Sequence, residues 1–495
     1  MRKSGILLPI SSLPSRYGIG CFSIEAYEFI DQLKEAGQTY WQILPLGPIG
    51  YGDSPYQSFS TFAGNPYYIN LDQLVSYGWL TEEECMAVDF EEGGKVHYGK
   101  LYEGRYPLLR KAFNRSNIAE KKEFHEFLER EQNWIEDYAL FMAVKDQYQG
   151  KCWNTWEKGI RDRDEAAIAQ KKEELKDEIL FYQFLQYEFR KQWYGLKQYA
   201  NSQGIKIVGD IPIYVSYDSA DAWANKELFQ FDEEGNPKAI AGVPPDGFSA
   251  TGQLWGNPLY DWEYHAETGY DWWVQRLSFC YEMYDVVRID HFRGFDEYYS
   301  IPYGDENAMR GHWEQGPGYA LFKKVKEVLG EREIIAEDLG YVTDTVRQLV
   351  KDTGYPGMKV LEFAFDSRDS GSAQDYLPHN YQENSVVYTG THDNETLIGW
   401  FCEGVQDIER QMVREYLCVD QVPDEQMHIP MICAAMRSVS KLCMIPMQDW
   451  LGLDNSARMN QPSTTGENWK WRMSHDDFNH ELRETIFKIT KRYGR

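Results

Sequence analysis

Four carboxylates, Asp210, Asp290, Glu337 and Asp393, fall at or just beyond the ends of short apolar runs at 205–211, 284–290, 333–338 and 385–391. Charged and hydrogen-bonding groups surround them: Arg288 precedes Asp290 by two residues, His291 and Arg293 follow it, and His392 directly precedes Asp393. If the runs are strands, Arg288 and Asp290 project from one face, because strand side chains alternate, and the guanidinium keeps the aspartate ionised and oriented. An ionised aspartate is a nucleophile. Glu337 follows Ile334, Ile335 and Ala336, where desolvation raises a carboxyl toward the pKa that acid/base duty needs. One ionised and one protonated carboxyl roughly 5–5.5 Å apart perform substitution at an anomeric carbon with retention. Asp393 is then a third carboxylate, stabilising the developing positive charge and holding ring hydroxyls. A lone strand-end acid is commonly a helix N-cap or an exposed loop charge. Four together, set among arginine and histidine, point to a site.

Aromatic residues make up 15% of the chain, and their placement divides them. Tyr51, Tyr56, Phe248, Trp255 and Tyr260 occupy Gly/Pro/Ser-rich segments, which suits them to stacking on the apolar faces of sugar rings rather than to core packing. Trp134, Trp193, Trp272 and Trp273 lie in helix-like stretches and are expected to pack internally. His291 and His392 offer hydrogen bonds to ligand hydroxyls. The sequence carries no phosphate-binding loop, no G-x-S-x-G elbow, no H-E-x-x-H and no EF-hand spacing, so it assigns no cofactor and no metal.

To bring residues so far apart in sequence together, the chain needs converging strand ends. Eight runs supply them: 4–10, 39–46, 205–211, 284–290, 333–338, 358–365, 385–391 and 441–447. Near-continuous apolar strands alternating with helices imply a parallel sheet covered on both faces, and eight units imply an α/β fold of the (β/α)₈ type, with its site at the C-terminal rim. A doubly wound sheet is the alternative, but Leu8-Pro9-Ile10-Ser11-Ser12-Leu13-Pro14 is not the Gly-rich turn such a sheet carries after its first strand. The long interval between the second and third strands reads as a mainly helical insertion over 66–200, with apolar positions such as Phe124, Phe127, Ile135, Tyr138 and Phe141 at helical spacing. The stretch 231–262, rich in Gly, Pro and Asp, reads as a lid loop over the site.

The 495 residues carry 51 basic against 78 acidic side chains, a net charge of −27, with no dense basic run, which disfavours nucleic-acid and anionic-membrane partners. No apolar run approaches the roughly 20 residues needed to cross a bilayer, and the opening stretch, broken at Pro9, is too short for a signal peptide. Eight scattered cysteines without C-x-x-C spacing fit a reducing, cytoplasmic setting.

Four segments resemble the signature motifs of the α-amylase clan: Val208-Gly209-Asp210-Ile211-Pro212, Val287 to Gly294, Ala336-Glu337-Asp338-Leu339-Gly340 and Gly390-Thr391-His392-Asp393-Asn394. Gly50 to Ser60, Asn65-Pro66-Tyr67 and Gly252 to Tyr260 more narrowly resemble the 4-α-glucanotransferases, or amylomaltases, of glycoside hydrolase family 77, and the likeness runs on to Ala457-Arg458-Met459-Asn460. The resemblance implies a barrel without a C-terminal β-sandwich, which transfers an α-1,4-glucan segment to the 4-hydroxyl of a glucose or maltodextrin acceptor. Maltooligosaccharides and starch- or glycogen-derived glucans would be its substrates. It implies Asp290 as nucleophile, Glu337 as acid/base and Asp393 as transition-state stabiliser. Tyr56, Asp210, Gln253, Trp255, Arg288, His291, Asp366, His392 and Asn460 would contact sugars, and Tyr51 and Tyr98 would form a second glucan site. Gly247 is a departure, standing beside Phe248 in the lid where relatives can carry an aromatic. A hydrolase of the same clan and a non-catalytic glucan-binding protein are the alternatives.

Overall fold

The eight apolar runs become the eight staves of a closed parallel barrel. The structure, a computed structural model, describes all residues except Met1, Tyr51, Glu92, 246–248, Tyr341 and 368–371. Its strands in chain order are β1 (Lys3–Leu7), β2 (Tyr40–Gln42), β3 (Lys206–Pro212), β4 (Ala239–Val243), β5 (Gln253–Pro258), β6 (Val286–Asp290), β7 (Glu297–Pro302), β8 (His312–Gln315), β9 (Ile334–Ala336), β10 (Gly357–Val360), β11 (Ser385–Tyr388) and β12 (Leu442–Pro446). The barrel closes in the order β1-β12-β11-β10-β9-β6-β3-β2. The sixth stave, β10, ends earlier than its apolar run suggests, because Leu361–Phe365 winds into a 3₁₀ turn.

Strand parity separates an inside from an outside. Leu7, Val208, Val286, Ile335, Met358, Val360, Val386, Tyr388, Leu442 and Met444 form one buried cluster, the barrel interior. Their neighbours Ile6, Trp41, Ile207, Val287, Ile289, Ile334, Cys443 and Ile445 belong to the larger cluster beneath the helices. Both faces are covered, so these strands read as continuous apolar runs rather than as alternating ones. Toward the C-terminal end the interior turns polar: the Tyr388 hydroxyl donates to Gln42 Oε1 at 2.8 Å, and Asp210 faces Arg288 across the β3–β6 pairing.

Between β2 and β3 the chain forms a helical layer that includes Tyr98–Ser116, Ile135–Gln147 and the long helix Lys176–Ser202. That last helix belongs to two layers. Its N-terminal half packs on the insertion, with Phe181 and Phe184 against Phe113; its C-terminal half lies on the barrel, where Trp193 stacks near Phe22 and donates to the Met283 carbonyl at 3.0 Å. The barrel layer therefore claims part of the stretch that periodicity alone assigns to the insertion. Among the described residues no strand follows β12.

Apart from residues 246–248, the stretch 231–262 is not a simple loop. It contributes β4 and β5 to an antiparallel sheet of order β5-β4-β7-β8, so that Gln253 and Trp255 stand on a strand. Tyr260 is not available for stacking on a ligand. It is 1% exposed, and its hydroxyl donates to the Ile213 carbonyl at 2.8 Å.

Gly209 illustrates how tightly the staves meet the helical layer. A Cβ there would lie 2.2 Å from the Tyr284 ring, an overlap that a shift of the buried ring or of the backbone must relieve. Gly209→Ala is expected to cost ~3 kcal/mol of stability, read as a fall in the urea midpoint; an unchanged midpoint would show that this contact relaxes freely.

Candidate active site

Arg288 sits on the interior face of β6, 3% exposed, and its side chain connects two carboxylates. Nη1 donates to both oxygens of Asp210, at 2.7 and 2.6 Å, and Nη2 donates to Asp290 Oδ1 at 2.9 Å. Asp210, itself fully buried, also accepts the Tyr56 hydroxyl at 2.9 Å. The planar fork of arginine makes this arrangement possible, since one guanidinium presents parallel donors to separate acceptors.

Asp290 ends β6, and the next residue turns the chain. His291 adopts a left-handed conformation with φ 54°, unusual for a residue with a side chain. The turn aims its backbone N–H at Glu337, which accepts it through Oε2 at 2.7 Å and accepts the Leu339 N–H through Oε1 at 2.8 Å. The His291 ring meets Trp255 edge-on, with centroids 4.7 Å apart, and Trp255 Nε1 donates to Gln253 Oε1 at 3.2 Å. Burial, helped by Arg293, pushes His291 down to about 3, so it is a neutral imidazole over the working pH range.

Desolvation in the barrel mouth lifts Glu337 to about 8, with the charge of Asp290 as the second cause; Arg288 and the two backbone N–H groups oppose the rise. Asp290 is also raised by desolvation, against Arg288. The sequence expectation of an aspartate held ionised by Arg288 needs this adjustment, because the guanidinium is shared with Asp210. Asp290 keeps its own charge-assisted bond to Arg288, which works against that rise.

Asp393 approaches from the segment after β11. Asn460 Nδ2 donates to its Oδ1 at 2.6 Å, Arg458 donates to its carbonyl at 2.8 Å, and His392 Nε2 lies 3.4 Å from its Oδ2. The Tyr56 ring stacks on His392 at 5.0 Å and 16°, with Trp469 beyond it, 5.9 Å from His392. These residues surround a cleft of roughly 800 Å³ lined by Tyr56, Gln253, Trp255, Asp290, His291, His392, Asp393 and Asn460, all foreseen as sugar contacts or catalytic groups. Asp210 and Arg288 form its underside and Glu337 stands beside Asp290.

Asp366 follows the 3₁₀ turn after β10, within electrostatic reach of Glu409. Tyr98 opens the helix Tyr98–Ser116, and its hydroxyl is engaged by the Trp469 carbonyl at 2.8 Å. Tyr51, Gly247 and Phe248 lie outside the described residues. Among cleft-lining residues that sequence reading missed are Tyr214, Thr251, Glu306, Asn307 and Trp469. Trp469 had a usable signal: it ends the Gly/Ser/Thr/Asn-rich stretch 460–469, the same context that singles out Tyr56 and Trp255. Among the described residues no group of three or more His, Cys, Asp or Glu is arranged to hold a metal ion.

Arg288→Lys keeps the charge and loses the fork. It should lower turnover on the order of 100-fold through displacement of Asp290. Arg288→Ala leaves two carboxylates without their partner and should destabilise the fold by about 3–5 kcal/mol in urea unfolding. A lysine variant with undiminished turnover would show that the shared guanidinium does not position Asp290.

Comparison with known proteins agrees with this geometry. The family model for 4-alpha-glucanotransferase matches residues 8–477. A 4-alpha-glucanotransferase of Clostridium butyricum is 46% identical over 488 residues, covering 98% of this chain and 99% of the relative. The chloroplastic/amyloplastic 4-alpha-glucanotransferase of Solanum tuberosum is 41% identical, covering 100% of this chain and 86% of the relative. The solved structure of an amylomaltase from Streptococcus agalactiae in complex with acarbose superimposes with a TM-score of 0.96 at 42% identity, over 100% of both chains. With the family match spanning nearly the whole barrel and the catalytic-type carboxylates gathered at its mouth, the chain belongs to the 4-alpha-glucanotransferase family.

Proposed function

We propose that this 4-alpha-glucanotransferase works with retention, through a covalent glycosyl ester on Asp290. The observation that carries the reading is the shared guanidinium of Arg288, which leaves Asp290 with a charge-assisted bond while Glu337 beside it is raised to about 8. Near neutral pH one carboxyl is then an anion and the other an acid, the division of labour that retention needs.

In the first half-reaction Asp290 attacks the anomeric carbon of an α-1,4-linked glucose unit. The bond to the leaving 4-oxygen breaks, and Glu337 gives that oxygen its proton. Glu337, now a carboxylate, takes the proton of an acceptor's 4-hydroxyl in the second half-reaction, as that oxygen attacks the same carbon and Asp290 departs. Asp393, held by Asn460, grips hydroxyls of the flattened ring and offsets its positive charge. Tyr56 with His392 and Trp469 forms one aromatic wall for glucose rings, and Trp255 with His291 forms the other. Asp210 and Arg288 orient the nucleophile from below.

Transfer exceeds hydrolysis only if water is kept from the ester while an acceptor binds. The β5 strand, bearing Gln253 and Trp255, walls the cleft and belongs to a sheet, so it offers a firm shield rather than a loose flap. Maltodextrins and related α-1,4-glucans are the substrates of this reading, in line with the acarbose held by the Streptococcus agalactiae relative. All eight cysteines are free thiols, which fits a reducing, cytoplasmic compartment, and among the described residues no helix is long and apolar enough to cross a membrane.

Two measurements test the reading. Asp290→Asn is expected to lower turnover by on the order of 10³-fold or more while maltodextrin binding persists, and a trapped glycosyl adduct in the native enzyme should map to the Asp290 peptide. An adduct on another residue, or native rates in the variant, would refute the assignment. Glu337 must be protonated to assist departure, so kcat/KM for maltotriose should fall as pH rises through about 8. A profile flat through pH 9 would remove Glu337 from the acid's role.

A further inference from the structure

The segment 389–397 carries His392 and Asp393, and one side chain outside the cleft ties both of its ends. Asp449 lies in the short helix Met447–Leu451 that follows β12, and it is 2% exposed. Its Oδ2 accepts the Thr389 hydroxyl at 2.6 Å, and its Oδ1 accepts the Leu397 backbone N–H at 2.8 Å. Thr389 directly follows β11, and Leu397 opens the next helical turn, so the two bonds close the segment like a clasp. Within it, the backbone N–H and the hydroxyl of Thr391 both donate to Asn394 Oδ1, at 2.9 and 2.8 Å. From below, Glu362, 4% exposed, fills the space under Gly390, where an added Cβ would lie 2.9 Å from its Oε1.

We propose that Asp449 is a positioning residue for transfer: by clasping Thr389 and Leu397 it fixes the segment that places Asp393 against the reacting ring. The proposal rests on the role given to Asp393 above. Two donors converging on one buried point require two acceptors, which a carboxylate supplies. An amide in its place keeps the Leu397 bond through its oxygen, and its NH₂ can donate to the Thr389 hydroxyl, which turns to accept. Alanine keeps neither bond and leaves a buried N–H unpaired. Asp449 acts through Asp393 rather than on the sugar, so its loss should appear in kcat and spare KM.

The test is a double-mutant cycle with Asp393→Asn, using α-maltosyl fluoride as donor so that slow variants remain measurable. In the native background Asp449→Ala should lower kcat on the order of 100-fold, with KM within about twofold, and Asp449→Asn should recover most of the rate. In the Asp393→Asn background the same Asp449→Ala change should cost less than about threefold, because the group it positions is already disabled. Equal losses in both backgrounds, or a folded Asp449→Ala with native kcat, would overturn the clasp. Should Asp449→Ala fail to fold, Thr389→Val removes a single tie and carries the same comparison: about a tenfold loss in the native background and none with Asp393→Asn supports the clasp, and equal losses refute it. Native rates in Asp393→Asn alone would overturn the role of Asp393 and this proposal with it.

Discussion

One guanidinium shared between two carboxylates is the constraint on which this site depends. Removing Asp210 and Arg288 from water costs several kcal/mol per ion, and their geometry must recover that cost. It does so with two bonds to Asp210 and one to Asp290. The same sharing leaves the mouth of the barrel short of positive charge, since a single arginine bonds Asp210 and Asp290 and only partly offsets the rise at Glu337. Glu337 therefore avoids ionising. Its two backbone N–H donors would favour the anion, but desolvation and the charge of Asp290 outweigh them. In the proposed mechanism these surroundings are what divide two carboxyl groups of similar intrinsic acidity between different roles.

Strand parity makes this arrangement possible. Positions 288 and 290 share a face, so a residue inside the barrel and a residue at its rim lie within one side chain's reach. Positions 287 and 289 face the helical layer instead, where Val287 and Ile289 are fully buried. The turn at His291 then does what a regular strand could not: it spends backbone strain to present an N–H to Glu337 from the neighbouring stave. Asp290, Glu337 and Asp393 come from three staves and meet because the strand ends of a closed barrel converge: Asp290 ends β6, Glu337 directly follows β9, and Asp393 lies on the segment after β11.

Much of this was legible in the sequence for a physical reason. Strands buried on both faces leave continuous apolar runs, and acids just beyond them stand out against that background. All eight barrel strands could therefore be placed, and Asp210, Asp290, Glu337 and Asp393 with them. The antiparallel sheet was not legible. Its strands β4 and β5 are short, carry Gly242 and Gly256, and lie among Gly- and Pro-rich turns, while β7, which pairs with β4, lies about sixty residues further on. Pairing of that kind leaves no local period to read. Tyr260 misled for a related reason: its loop-like neighbours hide the fact that its ring is enclosed by Tyr214, Phe229, Trp262 and Trp273. Only a tertiary contact reveals that enclosure.

The charge of −27 acquires a more limited meaning beside the site. Maltodextrins are neutral, so a surface field cannot steer them, and in physiological salt it decays over about 8 Å. What acts on the reaction is the local imbalance of charge within the cleft. Ring flattening puts positive charge on the anomeric carbon and ring oxygen only near the transition state. In the proposed mechanism Asp290 and Asp393 meet that charge from fixed positions, one held by Arg288 and the other by Asn460. Because both carboxylates are anchored before the sugar arrives, they need not reorganise as the charge develops, and the attraction is spent on the transition state rather than on the bound substrate. Ground-state binding falls instead to the aromatic walls, whose stacking changes little as the ring flattens. On this reading the cleft separates holding the glucan from cleaving it, and the ion pairs at its base serve the second task.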